Sequence, residues 1–145
     1  MSEVDPTYRD EWHLRLHHIE SGALSVDTAQ TDGMCRSEAI SASATGARSI
    51  WMGETRIRGG AVSGDHHHGE SETGIYVLSG HPVFVFAECG QERRIETKPG
   101  DYLFVPPYLP HREENPTTEE AVVVLARSTQ EAIVVNLPSL LSEPE

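Results

Sequence analysis

The sequence predicts an all-β protein, built as a small barrel or as a sandwich of two sheets. From Met34 onward, short apolar or alternating stretches follow one another, and glycine, proline and Asn-Pro turn signals separate them. No stretch beyond residue 33 shows the period of a long amphipathic helix. Many short strands at close spacing are typical of barrels and sandwiches. The fold class therefore follows before any functional residue is considered.

Length and charge narrow the class of protein. The chain has 145 residues and a formal net charge of −12. The length suits one domain, and the charge argues against nucleic-acid binding, because phosphate neutralisation needs clustered lysine and arginine. No apolar run approaches the roughly 20 residues that span a bilayer, and the acidic start lacks the apolar segment of a secretory signal. We therefore expect a cytoplasmic protein that binds neither membranes nor nucleic acids.

The expected strands follow the chain in order. Residues 1–33 are polar and mixed and are predicted to form an N-terminal extension, whereas residues 34–145 form the barrel. The runs 83–86 and 122–125 are continuous and apolar, as in buried strands. Turn signals separate the candidates from one another. The candidate strands are residues 37–41, 48–57, 74–78, 82–88, 92–97, 102–105, 121–128 and 132–137.

The N-terminal extension contains three histidines within residues 11–19, a segment whose pattern fits either a strand or a short helix. No carboxylate or third ligand follows at a useful spacing, so we interpret His13, His17 and His18 as exposed or packing residues. An exposed sheet edge needs covering, and this extension is otherwise hard to place in one barrel. We therefore expect a homodimer in which the extension contacts the neighbouring subunit.

The segment 60–80 contains the predicted metal ligands. Side chains two residues apart on a strand face the same side, so His66 and His68 can point into one cavity. Two imidazoles on one face, with the carboxylate of Glu72 close behind, are a common start of a metal site. A second segment ends a strand in a proline-rich turn and then delivers His111. We predict one divalent metal bound by His66, His68 and His111.

Two motifs in this order resemble those of the cupin family. The first family motif is Gly-x5-His-x-His-x3or4-Glu-x6-Gly, and the second is Gly-x5-Pro-x-Gly-x2-His-x3-Asn. The resemblance covers roughly residues 34–137 and implies a β-barrel of the RmlC-like jelly-roll type. Tyr108 stands where the family usually has glycine. The matching positions are Gly60, His66, His68, Gly80, Gly100, Pro106, His111 and Asn115.

Two residues compete for the place of a fourth ligand. Counting back from the glycine that ends the first motif places the carboxylate position at Thr73, whereas counting forward from His68 reaches Glu72. A one-residue slip turns a strand side chain to the other face unless a bulge absorbs it, and Gly74 could supply that bulge. His67 is the substitute if the backbone twists there. Glu72 and His67 are therefore both candidates for the fourth ligand or for a proton carrier.

Within the cupins, the chain resembles small single-domain bacterial proteins that combine His-His-His-Gly-Glu with Ile-Tyr-Val-Leu-Ser-Gly. That set includes zinc-containing cyclases of aromatic polyketide biosynthesis, such as the resistomycin-type cyclase. The resemblance implies an enzyme of antibiotic biosynthesis that closes and aromatises the rings of a poly-β-ketone. Zinc would polarise a ketone, and its bound water would remove a methylene proton. We expect Trp51, Tyr76 and Phe104 to line a cavity for this aromatic or polyketide-like substrate.

Other functions use the same ligands. Iron, nickel and manganese also suit a site of this kind, and iron with oxygen would make the protein a dioxygenase. A sugar-type isomerase would act on sugar phosphates instead. A non-catalytic cupin that binds a small molecule is the third alternative, and a metal without an open coordination position would favour it.

Overall fold

The computed structural model describes residues 10–31 and 33–141. The helical elements are α1 (Glu11–Leu14), a 3-10 helix (Ser21–Ala23) and α2 (Ala42–Thr45). None of the helices in these residues is long and apolar enough to cross a membrane. The strands are β1 (Met34–Ile40), β2 (Trp51–Ile57), β3 (His66–His67), β4 (Thr73–Ser79), β5 (Val83–Glu88), β6 (Gln91–Glu96), β7 (Tyr102–Val105), β8 (His111–Glu114), β9 (Ala121–Arg127) and β10 (Val135–Asn136).

The strands form two five-stranded antiparallel sheets. The first sheet has the order β1-β2-β9-β4-β7, and the second sheet has the order β10-β3-β8-β5-β6. Because successive side chains of a strand point to opposite faces, each sheet presents one face to the interior. In β2, for example, Thr55 and Ile57 are buried while Arg56 between them is exposed. The predicted all-β, jelly-roll class is confirmed.

Buried aliphatic side chains fill much of the space between the sheets. Val77 and Ala121 are fully buried, and Phe84 of the second sheet packs against residues of the first. Full burial of one such side chain contributes about 1.5–3 kcal/mol, so this cluster holds the two sheets together. Its members are Met34, Ile57, Ala61, Ile75, Val77, Phe84, Val105, Ala121 and Val123.

The second sheet is also covered on its outer face. Val83 and Val85 of β5 point outward, and Leu140 from the C-terminal segment packs on them. The backbone N–H of Leu137 donates to the carbonyl of Asp65, which fixes that segment beside β3. The strands β3, β8 and β5 are therefore held from both sides. Side chains on their inner face gain a rigid support.

Two turns require unusual backbone conformations. Gly80 has φ +81°, and a Cβ at this position would lie 2.7 Å from Ala121, so only glycine fits. Tyr108 has φ +62°, in the left-handed region where a side chain costs about 1–2 kcal/mol. Its backbone N–H donates to the carbonyl of Gly69 over 2.8 Å. This conformation explains why the family usually has glycine at that position, in the turn that precedes His111.

Most predicted strands are present with shifted ends. The region 132–137 contains only the two-residue strand β10. The strands β3 and β8 were not among the predicted ones, because proline-rich or glycine-rich turns precede them and both faces of each carry polar residues. These two short strands support the histidines described below.

The N-terminal segment contains the short helix rather than the strand. The Asp10 carboxylate accepts a hydrogen bond from the backbone N–H of His13 and begins α1. The ring of His13 lies against Gly46, which ends α2, so the segment contacts its own barrel. Residues 1–9 of the extension lie outside the described residues. Its predicted place at a dimer contact stays a prediction.

Candidate metal centre

Three histidines converge on the inner face of the second sheet. His66 on β3 lies opposite His111 on β8 in the antiparallel ladder, and His68 follows β3 directly. One ligand atom from each residue lies within 4.8 Å of the other two, and the part of the chain that the structure describes contains no other such group. Nitrogen ligands bind zinc at about 2.1 Å, so one shared ion needs only a small closure of the three rings. The structure brings together the three histidines predicted as ligands.

Backbone carbonyls determine which ring nitrogen of each histidine is protonated. A carbonyl oxygen only accepts hydrogen bonds, so the Nδ1 atom that contacts it must carry the proton. The Nε2 atom then keeps its lone pair, which is the form that binds a metal. The Nδ1 atoms of His66, His68 and His111 donate to the carbonyls of Gly64, Ile133 and Leu109 over 2.6, 2.8 and 2.9 Å.

Burial favours the neutral form of two of these imidazoles. The pKa of His68 is lowered to about 4, chiefly by burial and also by the neighbouring histidines, against the hydrogen bond to Ile133. Burial also lowers the pKa of His111, against the attraction of Glu113. Because a protonated imidazole cannot bind a metal, the neutral forms favour metal binding at neutral pH.

Glu113 is a site residue that the sequence analysis missed. It lies two residues after His111 on β8 and therefore on the same face. Its Oε1 atom is 3.8 Å from Nε2 of His111, and its side chain is 16% exposed. The backbone N–H of Glu113 donates to the Ser63 hydroxyl over 2.9 Å. The two-residue spacing that identified His66 and His68 would have identified this residue as well.

The groups around Glu113 keep it ionised. Burial alone would raise the pKa of Glu113. The net shift nevertheless lowers the pKa, because the Arg36 guanidinium on the first sheet attracts the carboxylate and the three histidines add to this attraction when they are protonated. A carboxylate therefore faces the cavity beside the histidine cluster.

Glu72 is not part of the cluster. Glu72 is exposed. Its backbone N–H donates to the Ser128 hydroxyl, and its backbone carbonyl accepts a hydrogen bond from the backbone N–H of Ser128. Thr73 is buried at 7% exposure and faces the cavity in the position of the family carboxylate. Gly74 pairs regularly with Phe104, so the bulge that would turn Glu72 inward is absent there. The structure therefore has the register in which Thr73, and not Glu72, occupies the carboxylate position of the first motif.

His67 points away from the cluster as well. It lies between His66 and His68 on an extended segment, so its side chain faces the opposite side. Its Nδ1 accepts a hydrogen bond from the backbone N–H of Gly69 over 2.9 Å. Its ring lies 5.7 Å from that of Tyr108. The backbone does not twist to bring it inward, so neither candidate for the fourth ligand lies at the cluster.

A buried cavity of about 40 Å³ adjoins the cluster. Its apolar walls come from the core residues of both sheets. Its charged and hydroxylic residues were not predicted, because arginine and threonine in strands look like surface residues in a sequence. These residues are Arg36, Thr55, Ser71, Thr73, Glu113 and Arg127.

The three aromatic residues predicted to line the cavity lie elsewhere. Trp51 is buried behind it: its indole N–H donates to Glu38 over 2.9 Å, and the guanidinium of Arg127 lies 4.0 Å above its ring. Tyr76 and Phe104 are on the outer face of the first sheet, and Phe104 is 62% exposed. Because Thr73, rather than Glu72, faces inward, the alternation of β4 places Tyr76 outside.

The fold and the site define a class of protein: a double-sheet β-barrel with a histidine cluster that can bind one metal. The chain belongs to the cupin family, because the model of the cupin domain matches residues 53–127. A comparison with curated protein sequences finds no match.

Solved structures similar to this chain include an oxalate decarboxylase and an oxalate oxidase. The oxalate decarboxylase from Bacillus subtilis at pH 4.6 shares 22% identity over 77% of this chain and 29% of that chain, with a TM-score of 0.66. A recombinant oxalate oxidase in complex with glycolate shares 16% identity over 79% of this chain and 61% of that chain, with a TM-score of 0.65. The chain spans less than two thirds of either protein. At this identity the likeness shows the fold.

Proposed function

We propose that this cupin is a metal-dependent enzyme that removes a proton next to a carbonyl group of a small substrate. The observation that carries the proposal is one cavity that adjoins the histidine cluster, whose Nδ1 atoms are engaged with backbone carbonyls, and that contains the Glu113 carboxylate. A divalent metal bound by His66, His68 and His111 would act as a Lewis acid on the carbonyl oxygen.

The donor set fits several metals. Zinc is the metal that the motif resemblance implies, and three imidazoles also suit iron, nickel and manganese. A solved structure similar to this chain, an oxalate decarboxylase from Bacillus subtilis that shares 21% identity with it, was studied for its Mn(II) centres. Lewis-acid chemistry needs no change of oxidation state, so zinc and manganese both suit the proposal. Elemental analysis of the purified protein distinguishes them.

Glu113 is the proposed proton acceptor. Its Oε1 atom lies 3.8 Å from Nε2 of His111, beside the cluster and within the same cavity. The C–H bond next to the carbonyl breaks, the proton moves to a carboxylate oxygen of Glu113, and the electron pair moves to the carbonyl oxygen as an enolate. Glu72 and His67, which the sequence suggested as proton carriers, lie outside the cavity and do not fill this role.

The cavity favours a small substrate. Pockets for drug-sized ligands enclose about 300–1,000 Å³, whereas this cavity measures about 40 Å³. The narrower hypothesis of a poly-β-ketone cyclase rests on the motif resemblance, and a folded polyketide chain needs far more room. We therefore propose a substrate with only a few non-hydrogen atoms.

Solvent exchange of substrate protons tests the proposal. The metal-loaded protein is incubated in D₂O without oxygen, and proton NMR follows the methyl groups of pyruvate and of its neutral analogue pyruvamide. We expect catalysed exchange with at least one of them, lost on chelation and in His111→Ala. Exchange that persists after chelation would contradict the proposal. In parallel incubations with oxygen present, oxygen consumption without proton exchange would support the dioxygenase alternative. Turnover of a poly-β-ketone, assayed separately, would support the cyclase instead.

A further inference from the structure

Two buried polar atoms on the first sheet have no hydrogen-bond partner among the described residues. They are Nε of Arg36 and Oγ1 of Thr55. Arg36 on β1 lies directly opposite Thr55 on β2, so both side chains share the inner face. Thr55 is 3% exposed, and both residues line the cavity beside the histidines. Buried polar groups in native proteins are nearly always paired, so these two atoms indicate a partner that comes from outside the chain.

The rest of the Arg36 guanidinium is held in place. Its Nη1 donates to the carbonyl of Ala29 over 2.9 Å, and its Nη2 lies 3.5 Å from the hydroxyl of Thr31. These contacts fix the side chain on the cavity wall and leave Nε–H unused. With the Thr55 hydroxyl it offers two neighbouring donors, which suit an acceptor with two oxygen atoms.

The charge of the cavity favours an anion. Two guanidinium groups, Arg36 and Arg127, and one carboxylate, Glu113, line it in a protein with a net charge of −12. Two donors of Arg127 are engaged, since Nε and Nη2 donate to the carbonyls of Thr129 and Gln130. Both arginines contribute charge, and Arg36 also contributes a buried Nε donor that has no partner among the described residues.

Both arginines remain charged at neutral pH. The pKa of Arg127 is lowered to about 10, chiefly by burial and also by the charge of Arg36, against the attraction of Glu38. Burial also lowers the pKa of Arg36, and Glu113 opposes this shift. These two buried positive charges repel each other, so an anion that enters the cavity lowers their electrostatic free energy.

We infer that Arg36 and Thr55 bind the carboxylate of a small organic acid, whose 2-oxo oxygen faces the histidines on the second sheet. The inference rests on the proposed function and narrows its substrate to a 2-oxo acid of a few carbon atoms. The acid is bound at both ends: the carboxylate lies at the first sheet, and the reacting carbon lies beside Glu113 on the second.

Calorimetry on the metal-loaded protein tests this inference with pyruvate and pyruvamide, which differ mainly in the carboxylate. We expect the wild type to bind pyruvate at least 10-fold more tightly than pyruvamide. Arg36→Gln removes the charge and is expected to abolish that preference. Thr55→Val removes only the hydroxyl and is expected to weaken pyruvate binding severalfold. Arg56→Met is the matched control, because Arg56 follows Thr55 but is exposed and pairs with Glu120 on the outside; its pyruvate affinity is expected to stay unchanged.

The outcomes separate this inference from the function on which it rests. Equal affinity for pyruvate and pyruvamide in the wild type would overturn the inference, and so would an unchanged preference in both Arg36→Gln and Thr55→Val. Selective pyruvate binding without proton exchange would support the carboxylate site and contradict the proposed reaction. Exchange with pyruvamide as fast as with pyruvate, at equal affinity, would support the reaction and contradict the site. Tighter binding of inorganic phosphate than of pyruvate would also overturn it.

Discussion

Two adjacent glutamates on β8 show how one strand serves both chemistry and stability. Glu113 faces the cavity, where its Oε1 atom lies 3.8 Å from Nε2 of His111. Glu114 faces outward and accepts hydrogen bonds from Arg112 over 2.8 Å and from Arg94 over 2.7 Å. The pKa of each is lowered, for Glu114 chiefly by the hydrogen bond from Arg112 and for Glu113 by charges around the cavity that outweigh its burial. The difference teaches that two glutamates next to each other in sequence can differ in unused acceptor capacity, which is the property that supports the proposed role of Glu113.

The contrast between the inner and the outer face also applies to the histidines. Substitutions there are expected to have the largest effect, which is on metal content. His111→Ala removes an inner-face ligand, so we expect loss of the one-to-one metal complex in elemental analysis. His67→Ala is the matched control, because this ring faces the other side of β3 and contacts Tyr108. It should retain the metal. Equal metal content in the two variants would contradict the assignment of the faces.

On the outer face of β8 the expected effect is on folding. Arg112 contacts Asp65, Glu92 and Glu114 at 3.1, 3.1 and 2.8 Å, and thereby joins three elements. Arg112→Met should lower the free energy of unfolding by about 2 kcal/mol, because charge-assisted hydrogen bonds in a half-buried network exceed an isolated surface pair. Urea titration measures this loss. Metal content should stay unchanged, and a loss of metal without a loss of stability would break the separation of the two faces.

A smaller effect is expected on the free energy of unfolding at acidic pH. Because the folded-state pKa of Glu114 is depressed, its contribution to stability is present above the unfolded value of about 4.3 and is lost as pH falls through the folded value. The difference in unfolding free energy between wild type and Glu114→Gln should be about 1 kcal/mol at pH 7 and should shrink below about pH 4. Urea titrations at several pH values provide the measurement. A difference that grows towards acid would have the wrong sign.

The smallest expected effect is at Glu72. Its exposed carboxylate lies outside the cavity, so Glu72→Gln should leave the metal affinity and the unfolding free energy unchanged within about 0.5 kcal/mol. Thermal denaturation and metal titration measure both quantities. A clear loss of metal affinity would show that the first-motif carboxylate does reach the ion.

Turn signals and strand periodicity were sufficient to predict the barrel and most of its strands. They were not sufficient for β8, because His-Arg-Glu-Glu is polar at every position and lacks the alternation of a half-buried strand. That pattern arises because one face meets a polar cavity and the other an ion-pair network. A count of residues within the first motif likewise left two registers for Glu72, and only the pairing of β4 with β9 decides between them.

The proposed carboxylate site could not be predicted from the sequence for a related reason. Arg36 and Thr55 lie far apart in the sequence and become neighbours only through the register of β1 and β2. An arginine in a strand usually belongs to the solvent face, so no local pattern distinguishes Arg36 from Arg56. In the structure, Arg56 is exposed, whereas the Nε atom of Arg36 is buried and has no hydrogen-bond partner among the described residues.

The central claim is that the inner face of β8 carries out the proton transfer, and the two adjacent glutamates test it most directly. Methyl-proton exchange of pyruvate in D₂O, measured with metal content for Glu113→Gln and Glu114→Gln, is the decisive measurement. We expect Glu113→Gln to keep its metal and to lose at least 100-fold in rate, while Glu114→Gln exchanges within about twofold of wild type, as a residue outside the cavity should. Equal rates in the two variants would contradict the claim, and loss of metal from Glu113→Gln would show that Glu113 is a ligand instead.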